Sequence, residues 1–136
     1  MQTNNMPLWA KVTGYFFGIG LIFIGGRFLL APEIGERGFG LIYDQPNEAF
    51  HYIKGVRDVF SGLLFVAFTA ANWRKPLAVA TLAGSLIPVV DMLVVLTMPN
   101  TVPGAAWIHG TTVVALWMFG YSLLRPQTAP RHALPA

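Results

Sequence analysis

Apolar residues fall along this chain in four long stretches, about Leu8–Leu30, Tyr52–Trp73, Pro76–Met98 and Gly104–Leu124. Each is long enough to cross roughly 30 Å of hydrocarbon as a helix of about 20 residues. The alternating pattern of barrel strands is absent, and a helix satisfies its own backbone in lipid, so the pattern predicts four transmembrane helices. The expected fold class is all-α, an integral membrane antiparallel four-helix bundle, with residues 1–136 as a single domain. Pro76 suits the first turn of its helix, where a missing N–H matters least. Ala31-Pro32 closes the first span and Pro126 the last.

The polar breaks between these stretches set the topology. Arg74-Lys75 reads as a very short basic turn, which makes the second and third spans antiparallel neighbours. Pro99-Asn100-Thr101-Val102-Pro103 is a similarly short, uncharged turn into the fourth span. The first connection alone is long, from Pro32 to His51, and holds Glu33, Glu36, Arg37, Asp44 and Glu48. Its apolar piece, Phe39-Gly40-Leu41-Ile42-Tyr43, either lies along the interface or folds back over the helix ends. The proline- and alanine-rich tail over 126–136 reads as disordered.

Composition sharpens this picture. The chain is 54% hydrophobic and 11% charged, with mean hydropathy +0.55, where a soluble domain averages about a quarter charged. With no cysteine, disulfides, thiolate metal sites and cysteine nucleophiles are excluded. The formal charge of +3 is scattered over flanks and loops, which speaks for membrane topology and against a nucleic-acid partner. Lys11, Arg74, Lys75, Arg125 and Arg131 fall on one side of alternating spans. Arg37 and Lys54 fall on the other, with Arg27 and Arg57 set into the spans at that end. The positive-inside rule then places both termini of this multi-pass protein in the cytoplasm. The thin basic region before the first stretch, with no small-residue cleavage site after it, reads as a retained span rather than a signal peptide. No internal repeat points to an inverted-repeat transporter.

Asp91 lies inside the otherwise apolar third stretch. A carboxylate near a bilayer centre costs about 2.5–3.5 kcal/mol, so it must face protein or water. At about 1.5 Å per residue, Arg57, Asp91 and His109 all lie roughly 8–10 Å below one rim, with Arg27 and Asp58 near the same level. Arg57 and Asp91 are expected to pair through a charge-assisted, bidentate hydrogen bond. Asp58 has two candidate partners, Lys54 one turn earlier and Arg27 across the bundle. Lys54–Asp58 is the weaker order for such a pair on an isolated helix. His109 is placed to donate to either carboxylate. Pro88 leaves the carbonyl of Gly84 without its helical donor, and Gly84, Pro88 and Asp91 share one face, which suits a cavity lining.

The remaining features read as structural. Gly14 and Gly18, and more loosely Ala80 and Gly84, give small-residue spacings for close helix approach, within the bundle or in a homo-oligomer. Trp9, Trp73 and Trp107 read as interface anchors, and Trp117 as packed inside. His51 and His132 read as solvated. No metal site is expected, because His109 has no second histidine at helical spacing, and no cofactor is implied.

At Lys54-Gly55-Val56-Arg57-Asp58, followed by Gly62, the chain resembles a family of small four-span membrane proteins of bacteria and fungi catalogued as a domain of unknown function. The resemblance continues through Ala31-Pro32, Gly38-Phe39-Gly40, Asp91 and His109-Gly110. It implies the architecture and the choice of residues and supplies no reaction. A fainter similarity to DoxX-like proteins rests on general layout.

The sequence supports three competing functions. The first is a pocket, formed by Arg27, Lys54, Arg57, Asp58, Asp91 and His109 under the long connection, holding a small lipophilic or amphiphilic ligand such as a lipid or quinone. The second is an isomerase- or cyclase-type enzyme, with His109 or a neutral Asp91 as acid and Asp58 as base. The third is a purely structural polar network that fixes helix register in an accessory protein. A proton-coupled carrier would need a dimer to form a pathway. Membrane lipid is the expected surrounding in every case.

Overall fold

A seam of glycines brings the first two long helices into close contact. In the computed structural model, which describes residues 6–42 and 48–126, α1 (Leu8–Leu30) and α3 (Glu48–Ala70) run antiparallel. A Cβ at Gly62 would lie 2.5 Å from the carbonyl oxygen of Gly18, and one at Gly25 would lie 2.5 Å from that of Gly55. Only residues without side chains allow that approach. Gly18, of the Gly14–Gly18 spacing, is therefore used inside one chain. We expect Gly25→Leu to lower stability by about 1–3 kcal/mol through overpacking against α3, read as a reduced denaturation midpoint of the purified protein. Tyr43, Asp44 and the tail from Gln127, with His132, lie outside the described residues.

α2 (Pro32–Phe39) fills much of the long connection. Pro32, which stops α1, is also the first residue of α2, where its fixed φ favours a helix start. Gly40 ends the helix at φ 105°, and a Cβ there would collide with that of Ala105. The chain then folds back over the helix ends, as one of the two expected paths has it. Ile42 N–H donates to the Asn100 carbonyl at 3.0 Å, and Val102 N–H to that of Gly40 at 2.9 Å.

α4 (Arg74–Gly84) and α5 (Leu86–Thr97) continue one another through Ser85. The interruption falls where Pro88 offers no N–H to Gly84. It lasts one residue, since Ser85 N–H still reaches Thr81 and Val89 N–H still reaches Ser85, at 3.1 and 3.3 Å. Both segments pack on α6 (Ala105–Leu124), while α3 packs on α4. Arg74-Lys75 opens α4 rather than forming the turn before it. The reversal is made by Asn72 at φ 56°, a left-handed conformation that asparagine tolerates. Arg74 instead closes α6, donating from Nη2 to the carbonyls of Arg125 and Ser122 at 2.6 and 3.4 Å. A cation at this end suits the helix dipole.

Two apolar clusters hold the ends of the assembly. Ala10, Phe65, Leu77, Leu116 and Phe119 pack at the end away from α2, and Phe28, Phe39, Leu41, Val95 and Ala105 pack beneath it. Among the described residues the fold is all-α, with only the isolated Leu41–Thr101 bridge besides. Two stretches, Leu8–Leu30 and Arg74–Thr97, are long and apolar enough to cross a membrane. α3 and α6 are less uniformly apolar: α3 carries Glu48, Lys54, Arg57 and Asp58, and α6 carries His109-Gly110-Thr111-Thr112.

Candidate functional site

α3 carries its polar residues on the same face as its glycines. His51, Lys54, Gly55, Asp58, Gly62, Phe65 and Thr69 are its buried residues, spaced one to four positions apart along the helix. Lys54 Nζ lies 2.5 Å from Asp58 Oδ2 and 3.3 Å from Asp91 Oδ2. Arg57 Nε donates to Asp58 Oδ1 at 3.1 Å, and its Nη2 reaches both Asp91 oxygens at 3.2 and 3.0 Å. Each carboxylate thus meets both cations, and the four charges cancel. That closure is what makes their burial tolerable, because a single unpaired charge at these positions would cost several kcal/mol. Asp58 is 2% exposed, and Lys54 and Asp91 are 6%.

The expected Arg57–Asp91 pair is present, with Lys54 as a second partner of the same carboxylate. The Lys54–Asp58 contact, weak on an isolated helix, is here buried, so context outweighs intrinsic preference. Aromatic rings complete the setting of the ammonium. Lys54 Nζ sits 5.3 Å from the ring centroids of both Phe28 and Phe39, a cation–π arrangement strengthened by exclusion of water.

Other expected contacts are not made. Arg27 does not reach Asp58; its Nη2 donates to the carbonyl of Ile34 in α2 at 2.9 Å. His109 does not meet a carboxylate. Its Nε2 donates to the Phe39 carbonyl at 2.8 Å, with the two rings 4.8 Å apart. His51 is buried rather than solvated and bonds the carboxylate of Glu36, also buried. Sequence reasoning missed this pair, although His51 lies one turn before Lys54 and Glu36 lies one turn before Phe39. Trp117 is turned outward rather than packed inside, with Nε1 donating to Ser85 Oγ at 2.8 Å.

These contacts tie α2 to α1, α3 and α6 and make it a roof. Beneath it lies a cavity of about 390 Å³. Arg27, Lys54, Asp58, Asp91 and His109 line it near the roof, and Leu64, Phe65, Ala80 and Leu116 line it farther down. Gly84 and Pro88 share its wall with Asp91. Arg57 is not part of the wall and holds the carboxylates from behind. The described residues contain no group of three or more His, Asp or Glu side chains arranged to hold a metal ion.

A family model described as a domain of unknown function (DUF4267) matches residues 18–123, a segment that includes α2, the ionic cluster and every residue of the cavity wall. No curated protein and no solved structure matches the chain.

Proposed function

The chain belongs to that family of unknown function, and from its site we propose an integral membrane protein that holds a small lipophilic or amphiphilic ligand beneath α2. The proposed architecture is a four-span antiparallel bundle, with α4 and α5 as one span. Its support is an inverted distribution of polarity. On α3, Ile53, Val56, Phe60 and Leu63 are exposed while Lys54 and Asp58 are buried. Leu86, Val90 and Leu93 on α5, and Ile108, Val114 and Met118 on α6, also face outward. Lipid is the solvent that favours such a surface. Lys11, Arg74, Lys75 and Arg125 lie at the end away from α2, which favours cytoplasmic termini. Trp9, Trp73 and Trp107 are exposed near helix ends, as interface anchors would be.

One observation carries the binding reading: a single cavity joins members of the ionic cluster to apolar walls. Its volume falls in the range of small-molecule sites, about 300–1,000 Å³. The acid–base reading draws less support. Both carboxylates are engaged by two cations, and the Nε2 of His109 is engaged by a carbonyl.

Gly84 offers the test. It lines the cavity, and a Cβ added there meets no atom within 4 Å. Gly84→Phe is expected to fill the space and leave the protein folded, since the new Cβ meets no neighbour and glycine is a poor helix former even at the last position of α4. Mass spectrometry of organic extracts of the detergent-purified protein should find a lipophile with the unaltered chain and at least tenfold less with Gly84→Phe. Equal recovery from both would remove the cavity as the binding site.

A further inference from the structure

We infer that the ligand has an anionic head, a carboxylate or phosphate ester, and that Arg27 binds it. The inference rests on the ligand-binding reading above. Charge arithmetic around the cavity leads to it. Lys54 and Arg57 are balanced by Asp58 and Asp91, and His51 is paired with Glu36. Arg27 also lines the cavity and has no acidic partner among the described residues. Among the described residues it is the one cation on the wall that no carboxylate compensates.

Its donors are mostly free for a ligand. A guanidinium offers five N–H groups in a planar fork that matches the oxygens of a carboxylate or phosphate. One nitrogen of Arg27 is used on Ile34. Gly38 lets the fork lie against α2, since a Cβ there would come within 3.2 Å of Arg27 Nη2. The aromatic faces of Phe28 and Phe39 are occupied by Lys54, so they do not compete for a cationic head. Below the polar end the walls turn apolar. Asp58 to Phe65 on α3 and His109 to Leu116 on α6 each span about 10 Å of helix, which is space for a chain. A cationic head would meet Arg27 as a like charge. A neutral head would leave the free donors of the fork without an acceptor of opposite charge.

The test uses the full chain in non-ionic micelles at alkaline pH, titrated calorimetrically with dodecanoate and with its methyl ester. Dodecanoate is expected to bind at least about tenfold more tightly, the worth of a charge-assisted hydrogen bond. Arg27→Gln should bring the two within about twofold by weakening the acid alone. Two further arms place the protein in phosphatidylcholine nanodiscs with and without phosphatidylglycerol. Loss of dodecanoate binding only with phosphatidylglycerol identifies a bilayer phosphate as the head; persistence in both identifies a free carboxylate. Either supports the anionic head. Equal binding of acid and ester by the unaltered chain overturns it, a comparison that needs no variant, and so does a preference that survives Arg27→Gln. Binding of neither compound removes the amphiphile reading itself, and this inference with it.

Discussion

Lys54→Met is expected to destabilise the protein by about 3–5 kcal/mol, the cost of leaving a buried ionic partner uncompensated. The size follows from where the ammonium sits. It lies 2.5 Å from Asp58 and 3.3 Å from Asp91, so its removal leaves two nearly inaccessible carboxylates to share Arg57. Methionine is close in length and apolar, so the loss reports charge rather than a cavity. The same account makes a second demand. Adding Asp58→Asn to Lys54→Met restores neutrality, with Arg57 and Asp91 still paired at 3.0 Å. The double variant should therefore recover roughly 2 kcal/mol of the loss, a coupling within the range for contacting residues. Reversible unfolding in mixed micelles, followed by circular dichroism, measures all three proteins. Strictly additive losses would mean that Lys54 and Asp58 do not form one electrostatic unit.

How much of this cluster could be read from sequence depends on the kind of contact. Arg57 and Asp91 were legible because alternating spans of known rise fix depth, and depth alone brings them level. The glycine seam was half legible. Gly14–Gly18 marks close approach, but nothing local says whether its partner is α3 or a second copy. The stability of Lys54–Asp58 was undervalued because helix-peptide preferences are measured in water, whereas this pair is buried. His51 was misplaced for a related reason. Hydropathy begins the second span near Tyr52, yet α3 starts at Glu48, one turn earlier. That extra turn carries His51 beneath the roof to meet Glu36. The roof was the least legible part. It depends on Gly40 pairing with Val102 and on Phe39 meeting His109, contacts between segments some 60 to 70 positions apart. No periodicity within α2 announces them.

The surface makes the second large prediction, and it bears on the membrane itself. Leu86 lies midway along the Arg74–Thr97 stretch and is 66% exposed. In water, Leu86→Arg at such a site would change stability by no more than about 0.5 kcal/mol, and it would aid solubility. At the centre of a bilayer the same guanidinium costs about 2.5–3.5 kcal/mol on insertion scales. Leu8→Arg is the matched control. Leu8 is 77% exposed but begins α1, where a long side chain reaches the interface and the cost largely disappears. We therefore expect Leu86→Arg to lower the fraction of chain recovered in membranes by tenfold or more, while Leu8→Arg leaves it within about twofold. Fractionation after expression, with carbonate washing of the membranes, reads this directly. The contrast between the two positions separates hydrocarbon from any merely apolar partner, because only a slab of lipid penalises charge according to depth. Equal tolerance of arginine at both sites would put this surface in water or against protein, and the four-span reading would go with it.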